Sequence, residues 1–374
     1  MQQIELEKKS FLPIYRQVAS YLRDDILSGK KTLSDDNGKM PSEQKVAKAF
    51  NINRVTLRKA LSILEKEGLI TRSTGKGTYV VQEIANNATI GTKRIGFLGF
   101  TFEELEFNLH TSQVFHSVEH SLAKMFRVEN IMLHGPESVE LFEARLREIP
   151  QMQLDGLLVS LTVEQFPLLL KSSVLTMPHV VLNNHSNVLK EAGFNLLDVD
   201  NDKGIRLLLD HLRSLGHKAI AFVSMGPVIR HDTLARQESF QRAVVDMGLN
   251  PDECPLIIDE PPYEAAVEHI LTSKPRITAV MGSGYFVAGD IMNALKSRAC
   301  RIPEDISITG FDYYPQVSRL IRPTITTVRT QLDTMGARAA EILCQQMLGK
   351  QITGLHELID VELLVQRSTA AASQ

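Results

Sequence analysis

Two arginines and a threonine stand at alternate positions near the start of one predicted helix, at Arg54, Thr56 and Arg58. The apolar side chains of that helix occupy other positions, which places the polar trio on the solvent-facing side. Guanidinium and hydroxyl groups donate hydrogen bonds to phosphates and base edges, and the first residues of a recognition helix enter the major groove. The spacing therefore predicts a surface that reads double-stranded DNA.

The elements that must hold this trio are predicted around it. Ser42 is a predicted N-cap for a short helix, and Asn53 is a predicted cap for the next helix, which covers about residues 54–67. An earlier amphipathic helix is predicted over residues 13–27, and a β-hairpin is predicted around a turn at residues 73–77. Helix, turn, helix and hairpin in this order are typical of a winged helix-turn-helix domain.

The turn of the predicted hairpin contains Gly75, Lys76 and Gly77, and its glycines allow the backbone to approach a phosphate or the minor groove. Charge agrees with this interpretation. Residues 1–82 hold 15 Lys and Arg against 9 Asp and Glu, a net +6, whereas the remainder holds 26 against 35, a net −9. We expect an anionic partner for the N-terminal part alone.

The order of these motifs resembles the DNA-binding domain of the GntR family over about residues 10–81. The motifs are Pro-Ser-Glu at 41–43, Arg-x-Thr-x-Arg-x-Ala-Leu at 54–61, Glu-Gly-Leu-Ile at 67–70 and Gly-x-Gly-Thr-Tyr-Val at 75–80. The resemblance implies DNA contacts from Gln44, Arg54, Thr56, Arg58, Gly75, Lys76 and Gly77. With the capping residues Ser42 and Asn53 these form the predicted DNA-binding set, and residues 1–82 form the predicted domain, called the head below.

A polar stretch at residues 83–93 is a predicted linker, and residues 94–374 form the predicted body. In the body, short apolar runs alternate with helical stretches, which predicts βαβ units and parallel sheets. Strands are predicted at residues 95–98, 130–133, 156–159, 180–182, 219–223, 278–281 and 306–309. Helices are predicted at residues 113–124, 139–149, 202–215, 233–247, 263–271 and 286–296. Because the body is long for one doubly wound sheet, we expect an α/β fold of two lobes with a cleft between them.

The motifs of the body, taken in order, resemble the effector-binding domain of the LacI family, which is built like periplasmic sugar-binding proteins. They are found at residues 155–158, 200–204, 211–217, 236–243, 310–312, 323–328 and 362–369. A GntR-type head on a LacI-type body resembles the arabinose-repressor subgroup. This resemblance implies a homodimer that binds two half-sites of an operator.

The same resemblance implies an effector site at Arg236 and Asp312, which match cleft residues that bind hydroxyls or carboxylates. Sugars need such charge-assisted hydrogen bonds together with an aromatic face. Phe100, Phe102 and Phe107 follow the first strand of the body, where ligands sit in such lobes. They are therefore predicted to supply the aromatic face.

One departure from the LacI pattern affects this site. The family has Asn-Asp after one strand, whereas this chain has Gly284-Tyr285, so a carboxylate is lost and a phenol is gained. Tyr285 joins the predicted effector site, and the effector's identity stays open. His231-Asp232 and Tyr313-Tyr314 lie at predicted cleft edges. No third ligand or nucleophile has fitting spacing, so His231-Asp232 is predicted to be a loop pair rather than a catalytic or metal site.

The bulk properties predict a cytoplasmic protein without a cofactor or a metal. Its three cysteines are far apart, which favours reduced thiols. The N-terminal residues lack the apolar stretch of a signal peptide, and no run approaches the roughly 18 apolar residues of a membrane span.

These features favour a DNA-binding regulator, most simply a repressor of carbohydrate-utilisation genes that a sugar or sugar derivative releases from its operator. A ligand-dependent activator stays open, because the sign of regulation is not written in the sequence. A sugar-binding receptor is disfavoured by the head. An enzyme with an aminotransferase-like body is disfavoured because such a body needs a Schiff-base lysine in a much longer domain.

Overall fold

A computed structural model describes residues 14–27, 34–35, 38–66, 69–73, 77–80, 92–99, 109–133, 139–226 and 230–373. The chain divides into two compact units, one of residues 1–95 with 118–131 and one of residues 96–117 with 132–374. This division differs from the predicted boundaries at residues 82 and 94, and most of the predicted linker lies outside the described residues. The exact domain boundaries therefore stay a prediction.

Three helices and a hairpin form the described part of the head. They are α1 (Ile14–Leu27), α2 (Glu43–Ala49), α3 (Arg54–Lys66), β1 (Ile70–Ser73) and β2 (Gly77–Val80). The two strands pair antiparallel, with Ile70 opposite Val80. The predicted helix-turn-helix and the predicted hairpin are confirmed.

The three helices of the head bury their apolar faces in one core. Leu57, Ala60 and Leu64 of α3 are fully buried, as the helical spacing of these residues predicts. They pack with buried residues of α1 and α2, including Leu22 and Phe50. Because this core fixes the rotation of α3 about its axis, it also decides which side chains of α3 face solvent.

The described residues of the body form two six-stranded sheets. The strands of the first sheet are β3 (Lys93–Leu98), β4 (Val128–Leu133), β5 (Gly156–Ser160), β6 (His179–Leu182), β7 (Leu196–Val199) and β13 (His356–Ile359). The strands of the second sheet are β8 (Ile220–Met225), β9 (Leu256–Asp259), β10 (Ala279–Gly282), β11 (Ser307–Phe311), β12 (Thr326–Thr330) and β14 (Val361–Leu364).

Helices connect these strands. They are α4 (Leu109–Leu122), α5 (Val139–Glu148), α6 (Phe166–Leu169), α7 (Asn187–Glu191), α8 (Asn201–Ser214), α9 (His231–Asp246), α10 (Glu264–Thr272), α11 (Tyr285–Ser297), α12 (Pro315–Ser318) and α13 (Leu332–Met347). Among the described residues, no helix has the length and apolar character needed to cross a membrane.

The strand order is that of two doubly wound sheets. The first sheet has the order β13-β7-β6-β5-β3-β4 and the second has the order β14-β12-β11-β10-β8-β9. Every strand pair with a described register in the two sheets is parallel, except β12 with β14. The predicted two-lobed α/β body is therefore confirmed. In such sheets ligands bind beyond the carboxyl ends of the strands.

Among the described residues, the chain passes between the two sheets three times, at Asp200, Gln331 and Asp360, which we call the crossing residues. Each of them stands between the last residue of one element and the first residue of the next. The Lys203 ammonium pairs with the Asp360 carboxylate, which links the first crossing to the third. The crossings lie at the end of β7, β12 and β13, so they border the space beyond the carboxyl ends of these strands.

Candidate DNA-reading surface and ligand cavity

Two residues of the predicted DNA-reading trio, Arg54 and Arg58, lie on the solvent-facing side of α3. The side chains of Arg54 and Arg58 are 60% and 57% exposed. Thr56, between them, is partly buried. Arg54 and Arg58, four residues apart, therefore share an accessible face near the start of the helix, whereas Thr56 lies on a different side.

Capping side chains fix the start of each helix of the helix-turn-helix. Ser42 Oγ accepts a hydrogen bond from the Lys45 amide at 3.4 Å, and Asn53 Oδ1 accepts one from the Thr56 amide at 2.8 Å. Both predicted caps are confirmed. Gln44 is exposed in the first turn of α2.

The wing is described only in part. Gly77 opens β2 with a φ of 116°, a conformation that side chains rarely adopt, so a glycine is required there. Gly75 and Lys76 lie outside the described residues. The predicted DNA contacts of all three residues stay predictions.

One residue of this surface was missed by the sequence reasoning. Glu43 follows the cap Ser42, and its carboxylate contacts the guanidinium groups of Arg58 at 2.8 Å, Arg72 at 3.1 Å and Arg54 at 3.7 Å. Partial burial raises the pKa of Glu43, but the hydrogen bond from Arg58 and the three positive charges outweigh it, so the pKa lies below its usual value. The Pro-Ser-Glu motif was the available signal, but the motif alone does not show what the carboxylate contacts.

A cavity of about 430 Å³ lies between the two sheets of the body. This volume is in the range of small-molecule sites, which is about 300–1,000 Å³. Arg236, Tyr285 and Asp312 all line it. Three of the predicted effector-site residues are therefore brought to one cavity. Phe100, Phe102 and Phe107 lie outside the described residues.

Arg236, on α9, is only 3% exposed and donates hydrogen bonds to three acceptors. Nε donates to Asn201 Oδ1 at 3.0 Å, and Nη1 donates to the Ser283 carbonyl at 2.8 Å and to Asp312 Oδ2 at 3.1 Å. The guanidinium carbon lies 3.9 Å from the centre of the Phe311 ring. Arg236 is thus a fixed cavity wall and not a surface charge.

Asp312 follows β11 in a backbone conformation that its contacts maintain. Its φ is 70°, in the left-handed region that residues other than glycine rarely adopt. Thr330 Oγ1 donates to Asp312 Oδ1 at 3.1 Å, and Thr327 Oγ1 donates to the Asp312 carbonyl at 2.7 Å. Strained backbone positions held by such contacts cluster at functional sites. This geometry supports the predicted role of Asp312.

His231 and Asp232 form the first turn of α9, so the prediction of a loop pair is wrong. The residue at the cap position is Arg230, which is not a usual capping residue and makes no side-chain capping bond. The sequence therefore carried no signal for the start of this helix. Asp232 Oδ2 lies 3.5 Å from Arg236 Nη2. Burial raises the pKa of Asp232, but Arg236 and then His110 lower it more, so the pKa lies below its usual value. Arg236 therefore has two carboxylate neighbours.

An aromatic cluster forms another wall of the cavity. The Phe286 and Tyr314 rings are stacked at 5.6 Å, and Tyr285 meets Tyr314 edge-on at 6.1 Å. Burial raises the pKa of Tyr314 well above its usual value, so the phenol is neutral. A Cβ at Gly284 would meet nothing within 4 Å, so replacing the family's larger residue leaves open space.

Residues near the carboxyl ends of strands of the first sheet line the cavity on the side opposite the second sheet. His110 Nε2 lies 2.9 Å from Asn183 Nδ2, and His110 Nδ1 lies 3.9 Å from Asp312 Oδ1. Arg230 Nη1 donates to Ser160 Oγ at 3.3 Å. Side chains beyond both sheets therefore meet around one cavity.

Asn201 connects Arg236 to a second group of buried polar residues. Its Nδ2 lies 2.8 Å from His185 Nε2, while the backbone amide of His185 donates to Asp198 Oδ2 at 3.0 Å. His356 Nε2, on β13, lies 2.8 Å from the same carboxylate oxygen. Asn201 was quoted only as part of a motif, and no sequence signal assigned it this connecting position.

The charged side chains that line the cavity are the carboxylates of Asp232, Asp290 and Asp312 and the guanidiniums of Arg230 and Arg236. Negative groups therefore outnumber positive ones among the described lining residues. Such a lining favours a neutral, hydroxyl-rich ligand over a phosphate or another strong anion.

Two family models match the sequence. Residues 14–80 match the gntR family of bacterial regulatory proteins, and residues 209–369 match a periplasmic binding protein-like domain. The arabinose metabolism transcriptional repressor of Geobacillus stearothermophilus is 27% identical over 382 residues, which cover 97% of this chain and 99% of that repressor. The HTH-type transcriptional repressor PurR of Pasteurella multocida is 25% identical and covers 88% of this chain and 98% of that protein.

Among solved structures, the Lac repressor dimer bound to operator and the anti-inducer ONPF superposes with a TM-score of 0.64 at 19% identity. The match covers 78% of this chain and 100% of that chain. At this identity the likeness establishes the fold.

The fold, the site and the matched domains define a DNA-binding transcriptional regulator with a ligand-binding body. Within that class, the chain joins a region that matches the gntR family to a periplasmic binding protein-like domain, and it aligns along nearly its whole length with the arabinose repressor.

Proposed function

We propose that this protein is a repressor of carbohydrate-utilisation genes, and that a small sugar or sugar derivative bound in the cavity releases it from operator DNA. The observation that carries the proposal is the Arg236–Asp312 pair at the wall of a cavity of ligand size, in a chain whose head matches a DNA-binding family. The proposed activity is binding and has no catalytic step. Such a repressor acts in the cytoplasm, where its operator is.

The chemistry of the cavity supports a carbohydrate. Carboxylate oxygens accept hydrogen bonds from sugar hydroxyls, guanidiniums donate to them, and aromatic rings contact the C–H face. Asp312, Asp232 and Arg236 supply the first two groups, while Phe286 and Tyr314 supply the third. The name of the arabinose repressor relative suggests a pentose as the first ligand to test.

The contacts of Arg236 and Asp312 support a coupling between the cavity and the rest of the body. Arg236 contacts Asn201, which follows the crossing residue Asp200. Asp312 contacts Thr330, which precedes the crossing residue Gln331. A ligand that engages the pair therefore acts on groups beside two of the three crossings. We infer that ligand binding changes the relation of the two lobes and, in a homodimer, the affinity for a two-half-site operator.

The test needs an operator that the protein itself selects. The full-length protein is used to enrich duplexes from a randomised DNA pool, and one enriched duplex is labelled, with a scrambled duplex as its control. Fluorescence anisotropy is then followed during titration with L-arabinose, other aldopentoses, hexoses and sugar phosphates. We expect one neutral sugar to weaken binding to the selected duplex by about 5- to 150-fold, the usual range of allosteric coupling.

The sugar panel also tests the charge argument. A sugar phosphate that releases the protein more effectively than every neutral sugar would contradict the assignment of a neutral ligand. A sugar that binds the protein, by calorimetry, but leaves the affinity for the selected duplex unchanged or raises it would contradict release as the mechanism.

A further inference from the structure

Glu43 is the point at which the elements of the DNA-reading surface meet. Its side chain is 18% exposed and contacts two arginines of α3, Arg54 and Arg58, and one arginine of the hairpin strand β1, Arg72. Glu43 itself opens α2. One carboxylate thus joins both helices of the helix-turn-helix and the wing.

The way in which Arg58 is bound leaves its terminal nitrogens available. Arg58 donates from Nε to Glu43 Oε2 at 2.8 Å, and Glu43 is its only hydrogen-bond or ion-pair partner among the described residues. Bidentate recognition of guanine uses two N–H groups of one guanidinium, directed at O6 and N7 of the base. Because Glu43 binds Nε of Arg58, the two terminal nitrogens Nη1 and Nη2 remain available for such a base.

Arg72 is bound differently. Its Nη2 donates to Glu43 Oε1 at 3.1 Å, and its Nη1 lies 3.7 Å from Glu65 Oε2. With two carboxylate neighbours and 29% exposure, Arg72 has fewer groups left for DNA than Arg58, whose side chain is 57% exposed. Of the three arginines around Glu43, Arg72 is therefore held by two carboxylates, whereas Arg58 is held by Glu43 alone and is more exposed.

A carboxylate at this place has an electrostatic consequence. DNA affinity without sequence preference comes from neutralised phosphates, so a negative charge among the arginines lowers it. Two of the three arginine partners of Glu43 are more than half exposed, and ion pairs at exposed sites add only about 0–1 kcal/mol each to folding stability. The loss of DNA affinity is offset if the carboxylate raises the discrimination between DNA sequences.

We propose that Glu43 is a positioning residue for sequence recognition, which holds Arg58 in the orientation that contacts a guanine and lowers the affinity for DNA without that base. The inference rests on the DNA-binding function of the head. It does not depend on which ligand occupies the cavity.

The experiment compares Glu43→Ala with the matched control Glu65→Ala. Glu65 is also a carboxylate of the head and contacts Arg72, but it makes no contact with Arg58 among the described residues. Dissociation constants are measured at one salt concentration for the selected duplex and for its scrambled control. Their quotient, scrambled over selected, is the specificity ratio.

For Glu43→Ala we expect the selected duplex to bind more weakly and the scrambled duplex to bind more tightly. The specificity ratio should fall by about 5- to 150-fold, the discrimination that one good bidentate pair supplies. For Glu65→Ala, binding to both duplexes should tighten together and the ratio should stay within about two-fold, because only a charge is removed. Glu43→Gln retains an acceptor for Arg58 Nε and should keep more of the ratio than Glu43→Ala does.

The double variant Glu43→Ala/Arg58→Ala separates positioning from a general effect. If Glu43 acts through Arg58, removing Glu43 in the Arg58→Ala background leaves the ratio unchanged. A Glu43→Ala protein with an unaltered ratio, or one in which both affinities fall by the same factor, would overturn the proposal. If the wild-type protein itself shows no preference for any duplex, the failure lies with the DNA-binding function and not with Glu43.

Discussion

At the scale of single residues, the central feature of the cavity is the buried positive charge of Arg236, which has two negatively charged neighbours, Asp312 and Asp232. Burial lowers the pKa of Arg236, but Asp312 and Asp232 raise it more, so the pKa lies above its usual value. Arg236 is therefore charged in the folded protein, and its charge is balanced in place. Removing one carboxylate leaves a buried charge with less compensation, which is costly in a low-dielectric site.

Asp312→Asn is the substitution that isolates this balance. The amide keeps the shape of the side chain but removes the charge opposite Arg236 and one sugar-binding acceptor. We expect sugar affinity to fall at least about 10-fold, and stability to fall by about 1–3 kcal/mol, while affinity for the selected duplex is unchanged. Calorimetry and chemical denaturation measure the first two quantities, and anisotropy measures the third.

Asp290→Asn is the matched control for Asp312→Asn. Asp290 lines the same cavity but is exposed. Because the charge removed there is already in contact with water, we expect a smaller effect on both sugar affinity and stability. Equal losses in the two variants would show that the charge of the cavity, and not the Arg236–Asp312 pair, determines ligand binding.

Buried histidines make the stability of the body depend on pH. Burial lowers the pKa of His179, His211, His217 and His231. In His217, Nε2 lies 3.0 Å from the Ala370 carbonyl and Nδ1 lies 2.9 Å from the Thr278 hydroxyl. Burial lowers the pKa of His217 by more than the Ala370 contact raises it. The neutral ring satisfies both contacts, with one nitrogen donating and the other accepting.

Below pH about 6.5 these histidines take up protons in the unfolded chain before they do so in the folded one, so stability is full above that pH and falls as the pH decreases. The expected slope is up to about 1.4 kcal/mol per pH unit for each such histidine. Denaturation at pH 7.5, 6.5 and 5.5 measures it. His217→Gln should flatten the slope. Stability that rises towards pH 5.5 would contradict the assignment.

At the scale of elements, the packing of α4 against α13 explains a glycine in the middle of a helix. A Cβ at Gly336 would lie 2.5 Å from Ser117 Cβ and 2.7 Å from the Val114 carbonyl. Ser117 Oγ also donates to the Asp333 carbonyl at 2.6 Å, which ties the two helices together. The glycine is therefore required by the close approach of the two helices and not by its backbone conformation.

Gly336→Ala and Gly289→Ala are expected to change stability in opposite directions. Both glycines lie inside helices, where alanine is normally favoured by about 0.5–1 kcal/mol. At Gly289 the nearest atom to a new Cβ is 3.4 Å away, so Gly289→Ala should be neutral or stabilising. Gly336→Ala should destabilise by about 1–3 kcal/mol because the helices must separate. Chemical denaturation measures both, and a stabilising Gly336→Ala would show that the helices are not packed so closely.

Elements with strong periodicity were predictable, and elements with polar or small residues inside them were not. The runs at β5 and β8 are continuous and apolar, so they were found. By contrast, β7 contains the fully buried Asp198, whose partners come from distant segments. The helix α13 was missed, and Gly336 is one reason. A glycine inside a helix is unfavourable locally, and the close packing against Ser117 that requires it is not visible in the local sequence.

The same limit applies to the site. Arg236, Asp312 and Arg58 were predicted because their spacing resembles known motifs. The contacts of Glu43 and Asn201 were not, since each joins segments far apart in the chain. The Asp232–Arg236 contact spans only four residues, and it was missed because the start of α9 was missed. Local patterns give the residue types of a site, whereas its hydrogen bonds depend on the tertiary fold.

At the scale of the whole molecule, we assign DNA recognition to the head and ligand recognition to the body. The body has three crossings between its sheets, and the residues that hold Arg236 and Asp312 adjoin two of them. A ligand in the cavity therefore acts at the connections between the lobes. The two functions are linked only if this action reaches the head.

Reciprocal linkage tests that claim most directly. If ligand and operator oppose each other, the factor by which the ligand weakens operator binding equals the factor by which the operator weakens ligand binding. The measurement is calorimetric titration of the protein with the releasing sugar, first free and then saturated with the selected duplex. The account predicts a sugar affinity that is about 5- to 150-fold lower on the duplex, by the same factor found in the DNA titration. An equal sugar affinity in the two states would contradict it.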